Sequence, residues 1–236
     1  DGGSTDRSVE LIKKYESKLA WWVSEKDRGQ SNAFNKGFTR AKGEFYLWIN
    51  ADDLLLPNSL KYAKRAIEKN PKIKWFAANT IFINEYNRII NCARGPEWFD
   101  FFIKNGMIYV SGPTSIFHGS LYEEAKGFDE ELHYTMDTDL WMRFKNFNHE
   151  FKRIQKYFWA FRMHDGSKTT HSFSEKPNKE FSIEQQKIGI KNNHVYTNSG
   201  MYKQKILKIL SGTYIRSKYD TIRLRGKNVD LVTNYK

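Results

Sequence analysis

The feature that most constrains this chain is an apolar run, Phe45 to Asn50, that leads directly into two acids, Asp52 and Asp53. Its length and its aromatic and β-branched content predict a strand buried on both faces, which is typical of a parallel sheet flanked by helices. In such sheets ligands bind beyond the carboxyl ends of the strands, where a cation and a phosphorylated substrate could meet these acids. The alternative is a plain turn, because aspartates after strands often bond their own backbone.

The size and composition fit one large α/β domain, or a domain with an appendage. A chain of 236 residues with 16% aromatic residues and five prolines can bury a sizeable core. The single cysteine, Cys92, excludes an internal disulfide and is predicted to pack inside a strand. No apolar run is long enough to cross a membrane.

The net charge of +12 predicts an anionic partner, such as nucleic acid, lipid headgroups or a nucleotide. Nucleic acid ranks last and is not expected, because the chain has no zinc-finger spacing and no aromatic RNP-type strand. Its basic residues are also spread along the sequence rather than gathered in one block.

Strand and helix patterns alternate in the first part of the chain. Ser4 or Thr5 is a candidate cap for a first helix, Leu19 to Ser24 has the pattern of a short strand, and the next helix is predicted to end at Gly43. A further helix begins near Pro57. This alternation predicts a parallel sheet.

The pattern changes after this helix. Lys74 to Ile83 and Arg88 to Ala93 have the pattern of a hairpin, which would add antiparallel structure to the sheet. Trp98 to Lys104 is predicted to be a short helix, and His149 to Met163 a strand.

A second acidic site begins a later helix. The apolar positions of that helix place Asp137 at or just before its first turn, where the helix dipole favours a carboxylate. A tight loop before it brings the backbone of Gly112 within reach of a substrate. A simpler interpretation remains open, in which Asp137 caps the helix and Asp139 pairs with Arg143 one turn on.

The C-terminal part of the chain is basic and contains two helical patterns, Lys179 to Lys191 and Met201 to Ser211. In the second, apolar residues lie opposite lysines, which makes it a candidate for peripheral contact with a membrane surface. Docking of this helix on the rest of the domain is the alternative.

Four segments, taken in order, resemble the motifs of the family 2 glycosyltransferases, which have the GT-A fold. They are Asp1-Gly2-Gly3-Ser4-Thr5-Asp6, the segment from Glu25 to Gly37, Asn50-Ala51-Asp52-Asp53, and Gly127-Phe128-Asp129 followed by Asp137-Thr138-Asp139-Leu140-Trp141 and Arg143. The resemblance covers roughly the first 170 residues, and four motifs in the right order are far more specific than one.

The resemblance implies an α/β GT-A domain with a Rossmann-like, mostly parallel central sheet, flanking helices and a small antiparallel addition. We expect this domain to span residues 1–171, with its first strand, helix and second strand upstream of Asp1. A basic helical extension is expected to span residues 172–236. The implied reaction transfers a sugar from a nucleotide-diphosphate sugar, with a UDP-sugar favoured, to a hydroxyl of a glycan or lipid-linked acceptor, with inversion. Such a reaction fits polysaccharide biosynthesis.

Roles carried over by position fall mainly on acids. Asp137 resembles the general base of the family, and Asp139 is close enough in sequence to be the rival assignment. His164 resembles a histidine that completes the metal site in many GT-A enzymes. We predict that the contacts to the nucleotide sugar come from Asp1, Asp6, Arg28, Asn35, Asn50, Asp52 and Gly112.

The metal motif departs from the family pattern at its first residue, since Asn50 replaces an aspartate. Asn50 brings no charge, so cation binding is expected from Asp52 and Asp53, helped by His164. Which of the two acids ligates the ion stays open, and the alternative interpretation of His164 is a structural or surface residue. The ligand types favour Mn or Mg.

Two further departures leave other functions open. Met136 stands where the family has a glutamate, and Phe34 where it often has an arginine, for which Arg28 or Lys36 is a possible substitute. Together with Asn50 they suggest a nucleotide-sugar-binding module that has lost turnover. The acidic strand end alone would also permit a metal-dependent phosphoester hydrolase. We expect a cytoplasmic protein, and a peripheral position at the cytoplasmic face of a membrane is the alternative.

Overall fold

The computed structural model describes residues 1–96, 110–147, 149–164, 166–167, 179–192 and 206–234. Its helices are α1 (Ser8–Lys14), α2 (Gln30–Arg40), α3 (Ser59–Lys69), α4 (Gly119–Glu124), α5 (Met136–Asn146), α6 (Lys179–Lys191) and α7 (Thr213–Leu224). Its strands are β1 (Phe45–Tyr46), β2 (Leu54–Leu55), β3 (Trp75–Ile83), β4 (Ile89–Ala93), β5 (Ser115–His118) and β6 (Phe151–Arg162).

These strands form one mixed sheet in the order β1-β5-β3-β6-β2, with β4 paired to β3. The long central ladder between β3 and β6 is parallel, and the flanking pairings are antiparallel. The predicted α/β fold with a central sheet and flanking helices is therefore confirmed. The antiparallel part is larger than the sequence predicts, because β1, β2 and β5 join the described sheet only through antiparallel ladders.

Two strand predictions differ from the structure. Only Phe45 and Tyr46 of the run from Phe45 to Asn50 pair in the sheet, and Ile49 is 41% exposed while Trp48 is buried. The paired strand is therefore shorter than predicted, but both faces of the run pack on the core, since Phe45 and Leu47 contact one cluster and Trp48 lies in another. Leu19 to Ser24 is not a strand, although the amino group of Asp1 donates to the Val23 carbonyl at 3.0 Å.

The predicted hairpin is confirmed in β3 and β4. The Asn84 side chain accepts from the Tyr86 and Arg88 amides across its turn, at 3.1 and 2.9 Å. Cys92 is buried in β4, and burial raises the pKa of its thiol to about 12, which makes it unreactive packing as predicted. The helix predicted for Trp98 to Lys104 lies outside the described residues.

The core that supports α5 is rich in aromatic residues. Trp141 of α5 stacks on Trp48 and on Trp75, with ring centroids 5.8 and 5.5 Å apart. Phe144, one turn further along α5, is fully buried against the same cluster. Because stacked rings in a close-packed core allow little movement, this packing fixes the helix that carries Asp137.

The C-terminal helices pack on the sheet domain. The helix predicted over Lys179 to Lys191 is confirmed, and its Ile188 is fully buried in the aromatic core. Leu224 of α7 and Val229 complete a second core cluster with β3 and β4. Of the second predicted stretch, Met201 to Ser211, residues 201–205 lie outside the described residues, and 206–210 are helical. No helix among the described residues is long and apolar enough to cross a membrane.

Candidate active site

Asp52, just before β2, and His164, just after β6, meet at one end of the antiparallel β2 and β6 pair. The His164 Nε2 atom lies 3.0 Å from Asp52 Oδ2, and both side chains are partly exposed. Asp52 is held from β6 as well, since Arg162 Nε donates to its carbonyl oxygen at 2.8 Å. The fold thus brings together two side chains that are 112 residues apart in the sequence.

Asp53 faces the interior instead. It is buried, and its two oxygens accept from the Arg162 amide and from Asn50 Nδ2, both at 2.8 Å. Burial raises the pKa of Asp53, while the bonds from Arg162 and Asn50 lower it, and the net shift is upward. Both of its oxygens are bonded within the chain, so Asp52 is the more accessible of the two acids.

Asn50 connects this acid to α2. Its Oδ1 accepts from Gln30 Nε2 at 3.0 Å, and its Nδ2 donates to Asp53. A carboxylate at position 50 would repel Asp53 at this distance, so asparagine suits an ionised Asp53.

Asp137 lies in the first turn of α5, as predicted. Its Oδ1 accepts from the Thr138 amide at 2.7 Å, and its side chain borders a cleft. Burial raises the pKa of Asp137, and the hydrogen bonds from Thr138 and the Gly112 backbone offset only part of that shift. A carboxylate with a raised pKa is a better proton acceptor once ionised.

Gly112 makes room for this carboxylate. A Cβ on Gly112 would lie 2.5 Å from Trp48 Cζ2 and 3.3 Å from Asp137 Oδ2. The loop therefore approaches the tryptophan closely because position 112 has no side chain.

Glu184 of α6 is a residue of this site that the sequence interpretation missed. Its buried carboxylate accepts from the amides of His133, Tyr134 and Thr135 at 2.8, 2.9 and 3.0 Å. The Thr135 hydroxyl adds a fourth bond at 3.1 Å. These amides belong to the segment that enters α5, so Glu184 fixes the helix start from outside it. No local sequence signal reveals a cap that lies 49 residues or more away.

Asp139 does not reach the cleft. It is fully buried, its Oδ2 lies 2.8 Å from Arg143, and its Oδ1 lies 3.3 Å from Lys191 Nζ. The Asp139 side chain therefore contacts α6 through Lys191. The structure therefore favours the ion-pair interpretation and argues against Asp139 as a base.

The cleft beside Asp137 has a volume of about 300 Å³, at the lower end of the range for ligand pockets. Aromatic rings form part of its walls, and polar groups line the rest together with Val110, Pro113 and Met136. Its lining includes Gln30, Trp48, Asn50, Phe82, Ser111, Gly112, His133, Tyr134, Asp137, Trp159 and Phe161. Such a cleft suits a ligand with apolar faces and hydroxyl edges, as a sugar has.

Of the remaining predicted contacts, Asp1 and Asp6 hold the N-terminal loop. Asp1 Oδ2 accepts from the amides of Gly3 and Ser4 and from the Ser24 hydroxyl. Asp6 accepts from the Ser8 amide at 2.9 Å, and this contact replaces the cap predicted at Ser4 or Thr5. Asp1 also lines a second cleft, of about 390 Å³.

Arg28 and Asn35 bind Glu130 instead of facing the cleft. Arg28 forms an ion pair with Glu130, and Asn35 donates to it at 2.9 Å and to the Phe128 carbonyl at 3.0 Å. Asn35 Oδ1 accepts from the Phe128 amide at 2.9 Å. The family-like residues of α2 thus hold the turn before α5, and the structure does not place Asn35 in the 300 Å³ cleft.

The departures at Phe34 and Met136 have structural partners. Phe34 packs against Trp48 and Phe128 with ring centroids 5.3 and 5.5 Å apart. The Ser31 hydroxyl donates to Met136 Sδ at 3.0 Å. Lys36, proposed as a substitute for the missing arginine, pairs with Glu25 at 2.7 Å.

A divalent cation fits the Asp52 and His164 pair. One carboxylate oxygen and one imidazole nitrogen at 3.0 Å form a donor set that suits Mn better than Mg. No group of three or more such side chains occurs among the described residues, so substrate phosphates and water would complete the coordination.

Taken together, the mixed α/β sheet, the acids after its strands and the aromatic cleft define a GT-A type of domain. Residues 1–126 match the model of glycosyl transferase family 2, and the chain belongs to this family.

Curated relatives are similar at low identity. An uncharacterized glycosyltransferase of Rickettsia typhi is 26% identical over 164 residues, which are 60% of this chain and 46% of that protein. One of Methanocaldococcus jannaschii is 24% identical over 172 residues, 69% of this chain and 58% of that protein. The poly-β-1,6-N-acetyl-D-glucosamine synthase of Staphylococcus epidermidis is 23% identical over 163 residues, 64% of this chain and 38% of the synthase. The chain spans about half the length of the first two relatives.

Solved structures share the fold. S. aureus TarS 1-349 in complex with UDP-GlcNAc has a TM-score of 0.61 at 22% identity and covers 80% of this chain and 55% of its own. The mannosyltransferase PcManGT from Pyrobaculum calidifontis, in complex with GDP-Man and Mn2+, has a TM-score of 0.51 at 13% identity, with coverages of 99% and 76%. At these identities the likeness shows the GT-A fold alone.

Proposed function

We propose that this protein transfers a hexose from a nucleotide-diphosphate sugar to an acceptor hydroxyl, with inversion at the anomeric carbon and Asp137 as the general base. The observation that carries the proposal is the position of Asp137. It is a half-buried carboxylate with a raised pKa at a helix start, and it borders an aromatic cleft beside a glycine loop. Family membership supplies the reaction class.

The chemistry needs one carboxylate on the acceptor side. Asp137 removes the hydroxyl proton as the acceptor oxygen attacks the anomeric carbon, and the bond from that carbon to the diphosphate breaks. The electron pair of that bond leaves with the nucleoside diphosphate. A single displacement of this kind inverts the anomeric centre, and it forms no covalent intermediate with the enzyme.

The donor side involves Asp52 and His164. These residues would hold Mn or Mg beside the diphosphate, and the cation would stabilise the negative charge that develops on the leaving group. Asn50 and Gly112 bring a polar side chain and polar backbone groups to the cleft beside Asp137. The aromatic side chains of the cleft offer apolar faces to the sugar ring.

A UDP-sugar is the favoured donor, and a glycan or a lipid-linked acceptor is the favoured partner. Support comes from TarS, which has the same fold and was solved with UDP and with UDP-GlcNAc. The named Staphylococcus epidermidis relative is a poly-β-1,6-N-acetyl-D-glucosamine synthase, which supports a role in polysaccharide biosynthesis.

Substitution of Asp137 tests the proposal. Asp137→Asn keeps the acceptor for the Thr138 amide and removes the basic group, so we expect kcat to fall by about 10² to 10⁴-fold. UDP affinity, measured by calorimetry in the presence of Mn, should stay within about twofold. Glu131→Gln, at an exposed carboxylate near the same helix, is the matched control and should keep full activity.

Two results would refute the proposal. Full turnover by Asp137→Asn would remove Asp137 as the base, and the absence of UDP or GDP binding by the protein would remove the nucleotide-sugar donor. An NMR measurement of the anomeric configuration of the product tests inversion separately.

A further inference from the structure

Helix α7 exposes apolar side chains to solvent, whereas an ordinary surface helix turns its apolar side chains toward the core. Its apolar residues Ile215, Tyr219 and Ile222 are 62%, 61% and 81% exposed. Their spacing of four and three residues places them on one stripe of the helix. The side that packs on the domain carries Leu224 and several polar residues, among them Thr221, whose hydroxyl accepts from the Cys92 amide at 3.0 Å.

The basic side chains of α7 lie on its outer side, and its acid lies on the inner side. Arg216 and Lys218 are exposed and lie on the two sides of the apolar stripe. Asp220, the helix's one acid, points inward and binds Arg94 and the Tyr157 hydroxyl. Arg225 and Lys227 follow the helix and are exposed. The outer surface of α7 is therefore apolar in the middle and positive at its edges.

The residues before α7 are also apolar and exposed. Residues 206–210 are helical, and Ile206, Ile209 and Leu210 are 57%, 51% and 71% exposed. A soluble monomer rarely leaves a run of large apolar side chains open to water, so a surface of this kind marks a contact site.

We propose that α7 binds the surface of an anionic membrane, with Ile215, Tyr219 and Ile222 in the headgroup and acyl boundary and with Arg216 and Lys218 among the lipid phosphates. Helices that lie in a membrane surface have this pattern of an apolar face flanked by Lys and Arg. The inward position of Asp220 leaves the outer face of α7 without an acid to repel anionic lipid. Charge complementarity selects lipid over a second copy of this basic chain, since two positive rims repel each other.

The surface is separate from the cleft beside Asp137. None of the residues of α7 lines that cleft, so changes on the outer face of α7 leave the proposed chemistry intact. Membrane binding can therefore be tested without reference to sugar transfer.

The experiment is co-sedimentation of the protein with vesicles. One set contains equal parts of phosphatidylglycerol and phosphatidylcholine, and the other contains phosphatidylcholine alone. The stripe variant carries Ile215→Ser, Tyr219→Ser and Ile222→Ser. The control variant carries Leu11→Ser, Ile183→Ser and Ile190→Ser at apolar residues that are equally exposed elsewhere.

We expect the protein to bind the anionic vesicles, and the stripe variant to bind them at least tenfold more weakly. The control variant should bind within about twofold of the parent. Arg216→Glu with Lys218→Glu should weaken binding by at least fivefold for each removed cation, at low salt, with a smaller loss as salt rises. Circular dichroism and melting temperature confirm that each variant is folded.

Three outcomes would overturn the proposal. These are equal binding by the stripe variant and the parent, no preference for phosphatidylglycerol, or no vesicle binding by the parent. Sedimentation velocity tests the other candidate for this surface, which is a second copy of the chain. A parent dimer that the stripe variant converts to a monomer, without vesicle binding by either, would assign the surface to a second copy of the chain.

Discussion

Asn50 determines which of two neighbouring acids remains available to a ligand. Its amide donates to Asp53, and Asp53 also accepts from the Arg162 amide 109 residues away. Asp52 is left at the surface beside His164. The sequence predicts an acidic strand end but leaves the choice between the acids open, because that choice depends on a contact with β6 that no local pattern encodes.

The pKa shifts of two aspartates predict opposite effects on stability. Burial raises the pKa of Asp137, so its ionisation opposes folding at pH values above the ordinary aspartate pKa. We expect Asp137→Asn to raise the free energy of unfolding at neutral pH by about 0.5 to 2 kcal/mol. The gain should shrink as the pH falls toward the ordinary aspartate pKa, where the wild-type carboxyl is protonated in both states.

Asp129 is the matched control for this measurement. Burial raises the pKa of Asp129, but the hydrogen bonds from Lys191 and from the Glu131 amide lower it by more. The net shift of this pKa is downward. Its ionised form therefore stabilises the fold above the ordinary aspartate pKa, and this contribution is lost as the pH falls through the lowered pKa. Asp129→Asn should lower the free energy of unfolding at neutral pH. Urea denaturation as a function of pH measures both variants, and equal signs would contradict the assignment.

The Asp52 and His164 pair can be compared with a matched pair elsewhere. His149 lies 3.1 Å from Glu124, a similar separation at a similarly exposed position, away from the cleft. We expect His164→Ala to weaken Mn-dependent UDP binding by about tenfold or more, because a ligand of the proposed cation is lost. His149→Ala should leave it unchanged. Titration of UDP with and without Mn measures this, and an equal effect of the two substitutions would remove His164 from the metal site.

At the scale of elements, the start of α5 and the bounds of α6 follow from their apolar periodicity, and both helices lie where the sequence predicts them. Their relation to each other does not follow. The family-like motifs end with α5. Even so, Glu184 of α6 accepts hydrogen bonds from the backbone amides just before α5, and Lys191 of α6 contacts Asp139. Periodicity predicts that a helix forms and which face is apolar, but not which distant helix will cap it.

The contact of Glu184 predicts a positioning role for α6. In Glu184→Gln one oxygen becomes an amide that cannot accept, so at least one of the amides at His133, Tyr134 or Thr135 loses its partner. We expect a loss of about 1 to 3 kcal/mol in the free energy of unfolding. We also expect kcat to fall while the KM for the donor stays constant, because Asp137 shifts at the start of α5.

Glu123→Gln, at an exposed glutamate on α4, is the control and should change neither quantity. Kinetics measured well below the melting temperature separate the two effects. A Glu184→Gln protein that is less stable but has an unchanged kcat would make the role of Glu184 purely structural.

For the whole molecule, the sequence predicts the α/β class, the hairpin and the order of the acidic sites. It does not predict that residues beyond 171 complete the core. Burial of Ile188, Leu224 and Val229 shows that the described C-terminal helices share the core of the sheet domain. α7 was missed because the side that packs on the domain is mostly polar, with Leu224 as its apolar core residue, while the outer side is apolar, so the usual amphipathic pattern assigns its faces the wrong way round.

Two neighbours on α7 test whether the C-terminal segment is part of one folding unit. Leu224 is 2% exposed within the second core cluster, and Ile222 is 81% exposed on the same helix. Because a deleted core side chain loses its transfer free energy and leaves a cavity, we expect Leu224→Ala to cost about 2 to 5 kcal/mol. Ile222→Ala, at the surface, should change stability by less than about 0.5 kcal/mol.

Tryptophan fluorescence from Trp75 and Trp141 follows the unfolding of the sheet domain. If the C-terminal segment were an independent appendage, Leu224→Ala would leave the midpoint of this unfolding unchanged. A single transition shifted to lower denaturant would instead show that the sheet and the C-terminal helices unfold together.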